Sequence, residues 1–119
     1  MMQASDKPRS RRAYTGVVAG TLALSLVAAS AGALQEEVDQ KGLRFSKSSA
    51  TLSVGGTMRF HNSDDVIHNI MTIDSNDEAE DHGLQKPGEV ISAKFEKAGD
   101  FQVRCAIHPK MKMSIAVEK

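Results

Sequence analysis

The sequence predicts an all-β sandwich of about seven strands behind an export leader. Two observations carry the fold: after Gly42, apolar residues recur at every second position in short runs, and Gly, Pro, Asn and Asp interrupt those runs about every ten residues. A third is that no stretch beyond residue 33 sustains a helical period.

The leader comes first in the chain. Lys7, Arg9, Arg11 and Arg12 precede an alanine-rich apolar run over residues 17–29, and small-residue motifs follow at Ala29-Ser30-Ala31 and Ala31-Gly32-Ala33. Basic stretch, short apolar core and small-residue cleavage motif, in that order, form a secretory signal peptide. The run is shorter than the ~20 apolar residues of a spanning helix, so cleavage near residues 31–33 is expected rather than retention as an anchor. The stretch SRRAYT also resembles the twin-arginine export signal. These features divide the chain into a signal peptide over residues 1–33 and one domain over residues 34–119, and they place the mature protein in the periplasm.

Composition narrows what that domain does. The full chain has 15 basic and 15 acidic residues; removing residues 1–33 takes away four basic residues and one acidic one and leaves a formal charge of −3. That balance excludes strong nucleic-acid binding. With no Trp and four Phe, the core is expected to be mostly aliphatic. A domain of this size is near the limit of stability from burial alone, so a bound metal would strengthen it.

The stretch LQEEVDQKG reads as a polar lead-in. Strands follow at Leu43 and Phe45, at Ala50, Leu52 and Val54, and, past a Gly55-Gly56 turn, at Met58 and Phe60. Ile91, Ala93 and Phe95 make another, KAGD turns the chain, and Phe101, Val103 and Cys105 alternate in the next. Met113, Ile115 and Val117 form the last. Residues 74–89, DSNDEAEDHGLQKPGE, read as a long acidic surface connection or a single helical turn.

The chemistry concentrates in CAIHPKMKM, residues 105–113. Outside the cytoplasm a lone thiol tends to oxidise, so Cys105, the only cysteine, is expected to be engaged. Its side chain follows the parity of Phe101 and Val103 and points to the core. Pro109 cannot donate a ladder hydrogen bond, which puts His108 at a sheet end near the thiol. Thiolate, imidazole and thioether together select copper over zinc or hard cations, in a trigonal arrangement of two histidines and a cysteine with a long axial methionine. The second histidine comes from His61, His68 or His82. His61 has the opposite parity to Phe60 and faces solvent; His82 lies in the acidic connection; His68 begins a strand after the turn NSDD and is the choice. Asn69 is placed to hydrogen-bond across to the Cys105 loop or to serve only its own turn.

The stretches LRFSKSSATLSVGGTMRFHNSDDVIHNI and AGDFQVRCAIHPKMKMSIAVE resemble the cupredoxins, the small blue copper proteins, and among them the amicyanins. VGGTMRFHN, the pair His68-Asn69 and the Cys-x-x-His-Pro-x-Met pattern of CAIHPKM carry the resemblance from about Leu43 to Glu118. It implies a cupredoxin-like Greek-key β-sandwich of about seven to eight strands, one copper ion per chain, and His68, Cys105 and His108 as equatorial ligands. Met111 matches the shorter ligand loop and Met113 a longer one, with the His-Pro step favouring Met111. Phe60, Arg104 and Lys110 depart from the amicyanin pattern without touching the ligands.

The function implied is that of a soluble, monomeric one-electron carrier, not an enzyme, shuttling between redox proteins such as a c-type cytochrome or a periplasmic dehydrogenase, with His108 as the electron port. Lys110 and Lys112 offer attraction to an acidic partner. The acidic group Asp74, Asp77, Glu78, Glu80 and Asp81 offers it to a basic one, or simply solvates its loop. The alternative is a carrier or store that delivers Cu(I), kept open by the methionine pair at 111 and 113.

Overall fold

A computed structural model describes residues 32–119 and, upstream, positions 16, 19–21 and 23. The leader expected over residues 1–33 lies outside the described residues, apart from those positions and its last two. Seven strands follow in order: β1 (Ala33–Gln40), β2 (Ser49–Asn62), β3 (His68–Ile73), β4 (Ala79–Gln85), β5 (Val90–Phe95), β6 (Gly99–Arg104) and β7 (Lys112–Glu118). They join in the order β1-β2-β7-β6-β3-β4, with β5 added to β2, an all-β curled sheet.

Strand β2 lets one continuous ladder close around a core. Residues 49–53 run parallel to β7, whereas residues 56–61 pair antiparallel with β5 and residues 57–62 parallel with β1. The chain changes partners at Gly55-Gly56. Gly55 has φ +85°, a left-handed conformation that side chains disfavour. At Gly56 an added Cβ would lie 2.7 Å from the Ser53 carbonyl oxygen. Val54, read from alternation as inward, is carried outward by this corner and is 38% exposed.

Period-two alternation fills the core: Leu52, Met58, Phe60, Ala93, Phe95, Val103, Met113, Ile115 and Val117 are all buried. Each large apolar side chain so buried contributes about 1.5–3 kcal/mol. Phe60 meets Phe45 edge-on at 6.1 Å, and Phe95 meets Phe101 at 5.1 Å.

Three readings need correction. The polar lead-in is a strand: β1 buries only Val38 and Gln40, and its outer acids pair with Lys47 and Arg59. The acidic connection contains β4, an edge strand that fully buries only Gln85. Leu43 is not in a strand; it has φ +57° and is exposed, while Phe45 makes a single bridge to Gln40.

Where β1, β2 and β4 end together, buried amides replace apolar contact. Gln40 Nε2 donates to Gln85 Oε1 at 2.5 Å, and Gln85 Nε2 donates to the carbonyls of Phe60 and Glu89, both at 2.7 Å. Asn62 Nδ2 donates to Val66 O at 2.8 Å and Gln85 O at 3.0 Å. Gln85 is the register partner of His68, so this network braces the strand end at which the histidine sits.

Candidate metal centre

His68 opens β3, Cys105 follows the last residue of β6, and Met111 precedes β7, so the strands deliver three side chains to one end of the sandwich. The loop between Cys105 and Met111 closes on itself: Met111 N donates to His108 O at 2.9 Å, and Cys105 N faces Met111 O at 3.4 Å. This brings His108 over the thiol.

Among the described residues, His68, Cys105 and His108 form one converging group of metal-ligating side chains. His68 Nδ1 and His108 Nδ1 are 3.2 Å apart, and Cys105 Sγ lies 4.0 Å and 3.7 Å from them. A point equidistant from the three atoms is about 2.1 Å from each, within the ~2.0–2.3 Å of first-row metal bonds to imidazole nitrogen and thiolate sulfur. The donor set thus fits a single soft or borderline ion. His68 and Cys105 are 0% and 1% exposed, while His108 is half-buried and reaches the surface.

Asp64 determines which nitrogen His68 presents. Its Oδ2 lies 2.6 Å from His68 Nε2, and because a carboxylate only accepts, the proton sits on Nε2 and the lone pair on Nδ1 faces the thiol. Gly42 and Leu43, both left-handed, turn successive amides onto the same carboxylate at 2.6 Å and 3.1 Å. Burial works against ionisation of Asp64, but hydrogen bonds from His68 and from these two amides outweigh it and hold the carboxyl below its ordinary value.

Asn69 does bridge to the cysteine loop. Its amide donates to Cys105 Sγ at 3.2 Å, and its side-chain Oδ1 accepts from Ala106 N at 3.0 Å. The thiol therefore has a fixed backbone donor, and the two ligand-bearing segments are laced together.

Met111 and Met113 share an inward face as parity requires, and are 2% and 3% exposed. They differ in neighbours: Met113 belongs to the hydrophobic core cluster and pairs with Val103 in the ladder, whereas Met111 is tied through its backbone to Cys105 and His108.

The other histidines stay apart. His61 is on the outer face of β2, half-buried, with Nε2 3.6 Å from Glu37. His82 is not simply solvated; its Nε2 meets Thr72 Oγ1 at 2.9 Å. The turn bearing Asp74 and Asp77 follows Ile73, which lies roughly 16 Å along β3 from His68. That acidity is therefore at the far end from the metal centre. Asp64 escaped sequence reasoning, although its place four residues before His68 was the available signal.

The chain next to the ligands exposes apolar side chains together with lysines. Val66, Ile67 and Ile107 are 40%, 44% and 48% exposed beside the ligands, and Pro109, Lys110 and Lys112 are exposed next to them.

Residues 32–118 match the family model described as copper binding proteins, plastocyanin/azurin family. No curated protein matches the chain. Among solved structures, it is similar to the reduced Cu(I) form of an amicyanin mutant at pH 4, with TM-score 0.64 and 24% identity over 69% of this chain and 80% of that one. It is likewise similar to an oxidised amicyanin mutant, with TM-score 0.63 and 23% identity over 69% and 80% of the two chains. At this identity the likeness establishes the shared fold.

Proposed function

The chain belongs to the plastocyanin/azurin family of copper-binding proteins, and from that premise we propose that it is a periplasmic one-electron carrier holding copper with His68, Cys105, His108 and Met111. The observation that carries this reading is the convergence of two imidazole nitrogens and one thiol, with His68 and Cys105 buried and His108 half-buried. When bound there, copper supplies a one-electron couple. The protein's part is to keep the donors still: Asp64 holds His68, Asn69 holds the Cys105 loop, and the sandwich holds both. Donors that do not move between oxidation states keep the reorganisation on electron transfer small.

His108 is the natural port, since it is the ligand that reaches the surface. The apolar rim of Val66, Ile67, Ile107 and Pro109 suits the small, transient interface of a redox encounter. Lys110 and Lys112 beside it favour an acidic face on a partner such as a c-type cytochrome or a dehydrogenase. Delivery of Cu(I) asks for exposed thioethers, and the burial of both methionines favours electron transfer instead. The mature protein loaded with Cu(II) should show an intense red-region band that bleaches with ascorbate and returns on reoxidation; copper held only as Cu(I), with no band, would point to metal delivery.

The different neighbours of the two methionines support Met111 as the axial ligand. Met111→Leu should shift the reduction potential and the spectrum. Met113→Leu should leave both near wild type and change stability by less than about 1.5 kcal/mol, as core Met-to-Leu exchanges do. The reverse pattern would make Met113 the axial ligand.

Export rests on the leader. The packing of the first described residues suggests where the leader ends: Ser53 Oγ donates to the Gly32 carbonyl, and Ala33 pairs with Leu52. Cleavage after Ala31 keeps both contacts, whereas cleavage after Ala33 removes them. Intact mass of the exported protein should give a start at Gly32; a start at Leu34 would refute this placement, and an uncleaved chain would refute the leader.

A further inference from the structure

Asn69 has acceptors on one side and a donor on the other. Its Nδ2 points toward β4, where it donates to Asp81 Oδ1 at 2.7 Å and to Gly83 O at 3.1 Å. Its Oδ1 points toward the cysteine loop, where Ala106 N donates to it. A carboxylate and a carbonyl only accept, so they admit one orientation of the carboxamide, the one that leaves Oδ1 free for Ala106. Asn69 is 3% exposed, which makes an incorrect orientation costly.

The backbone of β4 is shaped to deliver that carboxylate. Between the pairs Asn69↔Leu84 and Met71↔Asp81, β4 uses one residue more than β3. Such a bulge re-aims a side chain. Gly83 sits in it with φ +103°, and its amide donates back to Asp81 Oδ1 at 2.8 Å. Asp81 is thereby held by its own strand while it holds Asn69.

We propose that Asp81 is a positioning residue for the metal centre: from β4 it orients the Asn69 carboxamide, and through it the cysteine loop and the amide that donates to Cys105 Sγ. The proposal rests on the copper reading for its consequence, since the loop it steadies carries the thiolate and His108. It also removes Asp81 from the acidic group read as a partner-steering or solvating surface. Glu80, the adjacent acid, has no hydrogen bond of this kind among the described residues and serves as the comparison.

The test compares Asp81→Ala with Asp81→Asn, which removes the same charge but keeps an oxygen for both donors, and with Glu80→Gln. In the metal-free protein, amide hydrogen exchange at Ala106 should quicken roughly fivefold to tenfold in Asp81→Ala. It should stay near wild type in Asp81→Asn and Glu80→Gln. In the copper-loaded protein, the reduction potential and visible band of Asp81→Ala should differ from those of Asp81→Asn, because only the former removes the shorter of the two bonds that orient the Asn69 carboxamide. Equal exchange and equal potentials in the two Asp81 variants would overturn the proposal and leave Asp81 as a plain surface charge. A wild-type protein that binds no copper would refute the copper reading separately, while the exchange comparison would still decide the role of Asp81.

Discussion

Cys105→Ala should abolish the intense visible band of the copper-loaded protein and remove most of the stabilisation that copper provides. In the proposed centre the thiolate would be the charge-transfer donor and the one soft anionic ligand, and two imidazoles with a thioether would not replace it. A ligand that binds only the folded state stabilises it by about 2.7 kcal/mol at a hundred times its Kd, which for a domain of this size raises the melting temperature by roughly 10–20 °C. The variant should lose that copper-dependent increment. Its metal-free form should melt close to the metal-free wild type, lower by the ~1 kcal/mol of an ordinary point substitution, because Sγ fills little space and its one structural bond is the Asn69 amide. Thermal melts of both proteins with copper and with a chelator give the comparison. A Cys105→Ala protein that stays blue would end the copper reading built on this thiol.

The second large effect is expected at a residue that offers no ligand atom. Gln85→Leu keeps approximate volume but deletes three side-chain hydrogen bonds, two to the carbonyls of Phe60 and Glu89 and one from Gln40 Nε2; Glu89 O then keeps only its bond from Asn62 N. Each lost hydrogen bond is worth about 1 kcal/mol, so the loss should be about 3 kcal/mol. That is a large share of the stability of a small domain, equivalent to a fall of roughly 12–24 °C in melting temperature. Gln40 Oε1 already lacks a partner, and a long contact to His61 O at 3.4 Å is what its Nε2 would retain. Because Gln85 is paired with His68 in the ladder, the variant should also release copper to a chelator faster. A loss under about 1 kcal/mol in urea denaturation would show that the carbonyls find other partners, and that the network is not what braces this end of the sandwich.

The contrast between those residues explains what could be read in advance. Cys105, His108 and Met111 lie on one short loop, and their spacing is a local property. The placement of His68 needed only the alternation that marks a strand and its end. The core was legible for the same reason, since Met58, Phe60, Val103 and Ile115 occupy alternate positions whatever they pair with. Strands β1 and β4 were not, because each buries an amide or one valine instead of an apolar stripe, and alternation records burial rather than backbone pairing. Val54 and Leu43 were misplaced because left-handed residues at Gly55 and at Leu43 itself redirect the chain where a periodic reading continues straight.

By itself the amino-acid sequence determined the all-β class, the inward face of most strands, and a thiol, imidazole and thioether set whose chemistry selects copper. Those follow from residue type and short-range spacing, which the unfolded chain already possesses. Only the tertiary structure decided the change of partners along β2, the separate neighbours of Met111 and Met113, the hold of Asp64 on His68 and the reach of Asp81 to Asn69. These depend on residues distant along the chain meeting at hydrogen-bond distance, and whether they meet is settled by how the strands pair and curl around the core.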